Sequence, residues 1–239
     1  MIESLLLKLR KRDALTPEEE AALRETISEI DDVAGRQTIL HRGEPLNRSV
    51  LLLEGLMCRY KDLPDGQRQI TALHVPGDFL DLHGFTLKYL DHDVMALCPS
   101  RVAYARHDRL TRLTEEFPHL TRLLWFSTNL DAAMHREWEL SLGRRTAIVA
   151  AAHLFCEMYL RLEIVGLTEN FEFRLPINQT ELGECLGLTV VHTNRVLREL
   201  REQGLIEFTR GRVVIRDWEK LKGFAEFDPA YLYLDEVPR

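Results

Sequence analysis

The stretch that decides the fold runs from residue 175 to residue 215 and reads LPINQTELGECLGLTVVHTNRVLRELREQGLIEFTRGRVVI. Its apolar residues recur every three or four positions, as on a helix, in two runs that Gly187 separates. Glycine adopts the positive φ that a tight turn needs, and the hydroxyl of Thr189 can cap the helix after the turn. We therefore predict a helix, a tight turn and a second helix.

After Gly204 the residues alternate around Thr209–Arg212, which predicts a β-hairpin with a basic tip. Two helices and such a hairpin form a winged helix-turn-helix, a motif that reads the major groove of DNA. An ordinary helical hairpin followed by a β-ribbon is the alternative. The first interpretation gives nine candidate DNA contacts: Thr189, Val190, Val191, His192, Asn194, Arg195, Arg198, Arg210 and Arg212.

The composition is that of a soluble globular protein, with 45% apolar and 29% charged residues. A length of 239 residues allows two domains, each with its own core. No apolar run reaches the length of about 18 residues that a membrane span needs, and the first twenty residues do not resemble a secretory signal. Four scattered cysteines without a CxxC pair indicate reduced thiols and a cytoplasmic location.

The net charge of −7 is unevenly distributed along the chain. Residues 189–216 contain six arginines and only three glutamates. A basic surface of this kind releases counterions from DNA, while an acidic remainder suppresses unspecific binding. The acidic total therefore does not exclude DNA as a partner.

The earlier part of the chain predicts a β-sandwich or a barrel-like roll. Between Gly35 and Ala105, short apolar runs alternate with turn residues at intervals of roughly ten residues. A short helix is expected before the roll, at residues 16–29, because Thr16 and Pro17 suit a helix N-terminus.

A long helix with an apolar stripe is expected after Pro118 and is expected to end at Gly143. Such a helix between two domains often pairs with a copy of itself, whereas packing only on its own domain is the alternative. The residues of the stripe that we assign to a dimer seam are Leu123, Leu130, Met134 and Trp138.

The predicted fold class is therefore α+β, in four consecutive parts. These are an N-terminal helix with a β-roll sensor domain, a dimerisation helix, a winged helix-turn-helix domain and a C-terminal tail, at residues 1–115, 116–142, 143–217 and 218–239.

This order of parts resembles the Crp/Fnr family of bacterial transcription regulators over nearly the whole chain. The likeness rests on LLLEG at 51–55, VPGDF at 75–79 and INQTELGECLGLTVVHTNRVLREL at 177–200. The first two match the family's cyclic-nucleotide-binding-like jelly roll, and the third matches its helix-turn-helix. The resemblance implies a homodimer on a palindromic site in double-stranded DNA, with recognition helices about 34 Å apart, and RNA polymerase as a further partner.

The loop after VPGDF departs from the family members that bind cyclic AMP. Their ribose-binding Gly-Glu positions hold Asp81 and Leu82 here, and their phosphate-binding Arg-Ser positions hold Leu90 and Asp91. A phosphodiester needs a cation or a donor there, so the loop argues against a cyclic nucleotide. The family's oxygen sensors hold an iron–sulfur cluster with N-terminal cysteines, and the absence of a cysteine before Cys58 argues against that cofactor.

The second helix of the helix-turn-helix also differs from that of well-known family members. Well-known members place a glutamate three or four residues before the arginine that corresponds to Arg195, where it accepts from a cytosine amino group. Val191 and His192 occupy that stretch here. Valine can touch a thymine methyl, and Asn194 or His192 can bind a base edge. The DNA half-site is therefore expected to differ from the usual one.

The modified loop also brings imidazoles and carboxylates close together in sequence, and these groups suit zinc, iron, a haem or an acidic effector. The alternative is a polar connecting loop or helix whose Phe85, Leu87 and Leu90 pack inward. The candidate effector residues are Asp81, His83, His92 and Asp93, although their spacing matches no fixed metal motif.

No Ser–His–Asp set, phosphate-cradling glycine loop or HExxH motif occurs, so nothing indicates an enzyme. The sequence predicts a homodimeric, cytoplasmic, sequence-specific transcription regulator whose roll biases the dimer helix and so the recognition helices. The alternative function is a small-molecule- or metal-binding roll that regulates a protein partner. The basic second helix and hairpin argue against that alternative.

Overall fold

The computed structural model describes residues 1–239 and divides them into two compact units. The first, called the roll unit below, comprises Met1–Tyr60, Leu73–Ala133 and Tyr233–Arg239. The second, called the helix-turn-helix unit, comprises Lys61–Ala72 and Met134–Leu232. None of the helices combines the length and the apolar character that a membrane crossing requires.

Seven strands form the predicted roll: β1 (Ile27–Val33), β2 (Thr38–Leu40), β3 (Arg48–Glu54), β4 (Met57–Asp62), β5 (Arg68–His74), β6 (Asp93–Ala96) and β7 (Ser100–Arg106). They build two sheets, in the orders β1-β7-β3 and β2-β6-β4-β5. Six strands coincide with the apolar runs of the sequence, which confirms the roll. The sequence does not predict β1, because five of its seven residues are exposed and only its ends are buried.

Five helices accompany the sheets: α1 (Glu3–Arg10), α2 (Pro17–Thr26), α3 (Gly84–Leu87), α4 (His107–Glu116) and α5 (Pro118–Arg144). Thr16 caps α2 as predicted, in a capping box with Glu19. The helix α5 continues through Gly143, contrary to the expectation that this residue ends it. An isolated glycine costs a helix only about 1 kcal/mol, and no other atoms crowd this one.

Two apolar cores stabilise the roll unit. One core lies between the two sheets and includes Val50, Val94 and Val102. The other lies between the sheet β1-β7-β3 and the helices, and it includes Leu23 and Leu123. Each fully buried aliphatic side chain of this size contributes about 1.5–3 kcal/mol, so both faces of this sheet are anchored.

The helix-turn-helix unit contains α6 (Ala147–Glu163), α7 (Gln179–Leu186), α8 (Val190–Glu202), α9 (Trp218–Phe224) and a 3-10 turn at Pro229–Leu232. Its strands are β8 (Thr168–Glu169), β9 (Glu172–Arg174), β10 (Ile206–Thr209) and β11 (Arg212–Ile215), which form one sheet in the order β10-β11-β9-β8. The predicted winged helix-turn-helix is thus present and confirms the fold class. The sheet is two strands wider than the sequence predicts.

Candidate nucleic-acid interface

A close junction between α7 and α8 sets the geometry of the helix-turn-helix. At the start of α7, Oδ1 of Asn178 accepts from the backbone N–H of Glu181 at 2.9 Å, and Oε2 of Glu181 accepts from the N–H of Asn178 at 2.8 Å. The helix ends at Gly187, whose φ of 65° is left-handed. A Cβ added to Gly183 would lie 2.6 Å from the carbonyl oxygen of Leu188. Glycine is therefore required where the two segments touch.

Helix α8 begins where the sequence predicts. The hydroxyl of Thr189 caps it by accepting from the backbone N–H of His192 at 3.3 Å. Thr193, Val196 and Leu200 form its buried side, and each is at most 3% exposed. Their spacing of three and then four residues turns the opposite side of the helix toward solvent.

The outward side of α8 carries most of the candidate base contacts. Val191 is 81% exposed, and Asn194 and Arg195 are exposed as well. The side chains of these two polar residues make no hydrogen bond or ion pair within the chain. The Nε of Arg198 lies 3.9 Å from Oε1 of Glu202, a distance typical of a weak surface pair. The side chains of this face are therefore available to an external partner.

The hairpin β10–β11 forms the wing. Its tip consists of Arg210 and Gly211, both at positive φ, which is the two-residue turn that tight hairpins favour. Arg210 is exposed and unpaired. Arg212 instead forms an ion pair with Glu172 of β9, with Nε 3.0 Å from Oε2. This pair was not predicted, because the two residues are 40 positions apart in the sequence.

The four seam candidates on α5 have different surroundings. Leu123 is fully buried in the core of the roll unit. Trp138 donates from Nε1 to Oε2 of the buried Glu157 at 3.1 Å, inside the helix-turn-helix unit. Leu130 and Met134 are half-buried. At Leu123 and Trp138, the stripe therefore faces partners in the same chain.

The other side of α5 is more exposed. Trp125 is 67% exposed, and Asn129 and Ala132 follow at intervals of four and three residues, both exposed. Of these residues only Trp125 is strongly apolar, so a search for apolar periodicity passes over this side.

The structure brings together two of the four effector candidates. The ring centroids of His83 and His92 are 5.4 Å apart. Asp81 is fully buried, and its Oδ1 accepts from a backbone N–H of β3 at 2.6 Å, a structural contact. Asp93 accepts from the backbone N–H of Arg42 at 3.2 Å. No three His, Cys, Asp or Glu side chains form a group that could hold a metal ion.

Burial sets the protonation of this loop. It lowers the pKa of His83 to about 4 and also lowers the pKa of His92, whose Nε2 lacks a hydrogen-bond partner. Burial raises the pKa of Asp81 to about 7. Of the residues expected to pack inward, Leu90 is buried, whereas Leu87 is 58% exposed and does not pack inward. Leu87 lies at the end of the short helix α3, which turns it toward solvent.

An ion pair inside the roll unit was not predicted. The side chain of Arg59 on β4 is 3% exposed, and its Nε donates to the carbonyl oxygen of Leu80 at 2.8 Å. Its guanidinium also pairs with the carboxylate of Asp131 on α5. At the positions where cyclic-AMP-binding members hold a phosphate, Leu90 is buried and Asp91 bears a negative charge. A phosphate at Arg59 would have to displace Asp131.

These features define a class of protein: a regulator that combines a winged helix-turn-helix for DNA with a β-roll. Two family models match the chain, the cyclic nucleotide-binding domain over residues 32–117 and the Crp-like helix-turn-helix domain over residues 151–224. The chain belongs to the Crp/Fnr family of transcription regulators.

Individual relatives agree with this assignment. The chain is 32% identical over 174 residues to the "Probable transcriptional activator" of Rhizobium leguminosarum bv. viciae. The aligned region covers 72% of this chain and 70% of that protein. It is 29% identical over 209 residues to the transcriptional activator protein FnrL of Cereibacter sphaeroides, covering 85% of this chain and 83% of FnrL. The solved structure of FixK2 from Bradyrhizobium japonicum superposes with a TM-score of 0.75 at 26% identity, over 82% of this chain and 96% of FixK2.

Proposed function

We propose that the protein is a homodimer that binds a palindromic DNA site through α8 and the wing, and that it regulates transcription in the cytoplasm without enzymatic activity. The observation that carries this proposal is the outward side of α8, where Asn194 and Arg195 lack partners within the chain. Arginine is the usual partner of the O6 and N7 atoms of guanine, and asparagine of the N6 and N7 atoms of adenine. We therefore assign the principal contacts with the DNA bases to these two residues.

The remaining polar candidates suit the DNA backbone. Arg210 at the wing tip is exposed and unpaired, so its charge is available to a phosphate. Arg212 is paired with Glu172, and a phosphate there would compete with a carboxylate. We therefore assign the stronger backbone contact to Arg210 and the weaker one to Arg212. Further contacts are assigned to the edges of α8, at Thr189, Val190, His192 and Arg198.

The dimer is proposed to form through the outward side of α5. Trp125, Asn129 and Ala132 have the alternating four- and three-residue spacing that paired helices require. The indole of Trp125 supplies the apolar surface, since an aromatic side chain of this kind buries roughly 150–250 Å². A two-fold axis along paired α5 helices relates two copies of α8, as a palindromic site requires.

The roll is proposed to work without a cyclic nucleotide. Asp131 holds the buried guanidinium of Arg59, and this pair joins β4 to α5 inside the roll unit. A change that separates the pair would alter the support of α5, the helix that we assign to the dimer.

RNA polymerase is the proposed protein partner, as expected of a regulator related to proteins named transcriptional activators. One observation favours a protein contact at the β8–β9 turn. Phe171 occupies this turn with a φ of 61° and is 45% exposed. A bulky residue at positive φ is strained, and strained, exposed apolar residues tend to lie at functional surfaces.

The test is binding of full-length protein to DNA sites selected from a random pool, measured by fluorescence anisotropy with stoichiometry from native mass spectrometry. Arg195→Ala is expected to weaken specific binding by about 1–3 kcal/mol, whereas Arg101→Ala on the roll serves as the arginine control. Selected sites should be palindromic and bind two chains. Unchanged affinity of a folded Arg195→Ala variant would contradict the assignment of α8.

A further inference from the structure

Val191 has an unusual environment for an aliphatic side chain. It is 81% exposed, more than any other large apolar residue of the chain. The remaining residues of its helix face are polar, and they include Asn194, Arg195 and Arg198. Single exposed apolar residues are common on protein surfaces, so the exposure of Val191 matters because of its place on the helix face that we assign to DNA.

The backbone around Val191 holds this side chain in a defined place. The cap at Thr189 fixes the first turn of α8, and the hydroxyl of the fully buried Thr193 donates to the carbonyl oxygen of Thr189 at 3.0 Å. Valine is β-branched and adopts one dominant χ1 rotamer in a helix. Its two methyl groups therefore project in a fixed direction from the first turn. In helix-turn-helix proteins the N-terminal residues of the second helix contact the base edges.

The chemistry of the major groove restricts what such a group can contact. Guanine, cytosine and adenine present only donors and acceptors there, whereas thymine adds an apolar C5-methyl group. A valine placed over a polar edge would remove water from it without offering a hydrogen bond, which is unfavourable. We propose that Val191 reads the methyl group of one thymine in each DNA half-site. The proposal rests on the proposed function, that is, on α8 as the recognition helix.

The position of this thymine follows from the helix. Val191 and Arg195 are four residues apart on one face, so their Cβ atoms lie about 6 Å from each other. Successive base pairs are about 3.4 Å apart along DNA. If Arg195 binds a guanine, the thymine read by Val191 lies about two base pairs from it.

The experiment removes only the methyl group. The full-length protein is bound to its selected palindrome, in which each thymine is replaced in turn by deoxyuridine at symmetric positions. We expect one thymine per half-site at which this symmetric replacement weakens binding roughly sixteenfold, that is, about fourfold for each of the two buried methyl groups removed. Val191→Ala should bind thymine and deoxyuridine equally well there. Val190→Ala, the neighbouring valine, is the matched control and should keep the difference.

A second variant tests the same position by gain of specificity. Val191→Glu offers a carboxylate that accepts from the N4 amino group of cytosine. Selection with this variant should return a C·G pair where the wild type selects the thymine. Circular dichroism spectra and melting curves check that both exposed substitutions leave the fold intact.

The outcomes separate this inference from the function on which it rests. If the wild type selects no specific site, the proposed function fails and the inference fails with it. If the wild type selects a site but no thymine shows the methyl effect, the inference alone is overturned. The same holds if Val191→Ala keeps the effect or if Val190→Ala abolishes it.

Discussion

The indole nitrogen of Trp138 donates a hydrogen bond to Oε2 of Glu157 at 3.1 Å. Glu157 is completely buried, and it also accepts from the hydroxyl of Tyr231 at 2.9 Å and pairs with Arg161 at 2.9 Å. One carboxylate thus joins the end of α5, the helix α6 and the turn after α9. A buried carboxylate needs such donors, so Trp138 serves to attach α5 to the helix-turn-helix unit.

The first prediction distinguishes the two sides of α5. Trp125→Glu should convert the proposed dimer into monomers, because two like charges facing each other in the interface cost several kcal/mol per dimer. Leu130→Glu lies on the opposite side and is the matched comparison. Size-exclusion chromatography with light scattering at micromolar concentration measures the mass of both variants. A dimeric Trp125→Glu together with a monomeric, folded Leu130→Glu would place the seam on the stripe first predicted from the sequence.

The second prediction concerns cyclic nucleotides. Neither cyclic AMP nor cyclic GMP should raise the melting temperature, because Asp131 neutralises Arg59 and Asp91 is negatively charged. A ligand present at 100 times its Kd would add about 2.7 kcal/mol, which thermal shift detects easily. Asp131→Asn, which releases the guanidinium, is the informative variant. A shift in the wild type refutes the prediction, and a shift only in Asp131→Asn identifies the ion pair as the block.

The third prediction tests the junction of α7 and α8 through two glycines. Gly183→Ala should destabilise the protein by about 1–3 kcal/mol, because its Cβ would lie 2.6 Å from the backbone oxygen of Leu188. A Cβ added to Gly143 would have no atoms within 4 Å, so Gly143→Ala should instead stabilise α5 by about 0.5–1 kcal/mol. Urea unfolding gives both free energies. Equal effects of the two substitutions would disprove the close contact.

The fourth prediction is a pH dependence that arises from His153. Burial, with Arg145 nearby, lowers the pKa of this imidazole from 6.5 to about 3. The unfolded chain therefore binds a proton between these values that the folded protein does not bind. The contribution of His153 to stability is complete above pH 6.5 and is lost as the pH falls through this range. His153→Gln should therefore lose less stability than the wild type between about pH 7 and pH 5.

Thermal melts over this pH range measure the difference. A slope unchanged by His153→Gln would show that this imidazole is not the group that titrates.

Local signals were sufficient for most of the fold. Gly187 and Thr189 predicted the turn and the cap, and short apolar runs between turn residues predicted six of the seven strands of the roll. The strand β1 was not predicted because it lies at a sheet edge and exposes its centre, so it contains no apolar run. Gly143 led to a wrong helix end, because a glycine ends a helix when its backbone is left-handed and Gly143 is not among the glycines at positive φ.

Of the candidate site, the sequence could predict only which side chains are exposed on their own helix. Arg195 and Val191 follow from helical spacing on α8. The pairing of Arg212 with Glu172, and that of Arg59 with Asp131, depends on chain segments that meet only after folding. Likewise, apolar periodicity marked Leu123 without indicating whether its partner lies in the same chain or in another.

The three tryptophans occupy separate environments, which gives the protein a built-in optical probe. Trp138 is hydrogen-bonded to Glu157, and Trp218 packs against Tyr159 with ring centroids 5.0 Å apart. Trp125 alone projects from α5 with 67% of its surface exposed. Its emission and its quenching by iodide therefore report what covers that side of α5, without any label attached to the chain.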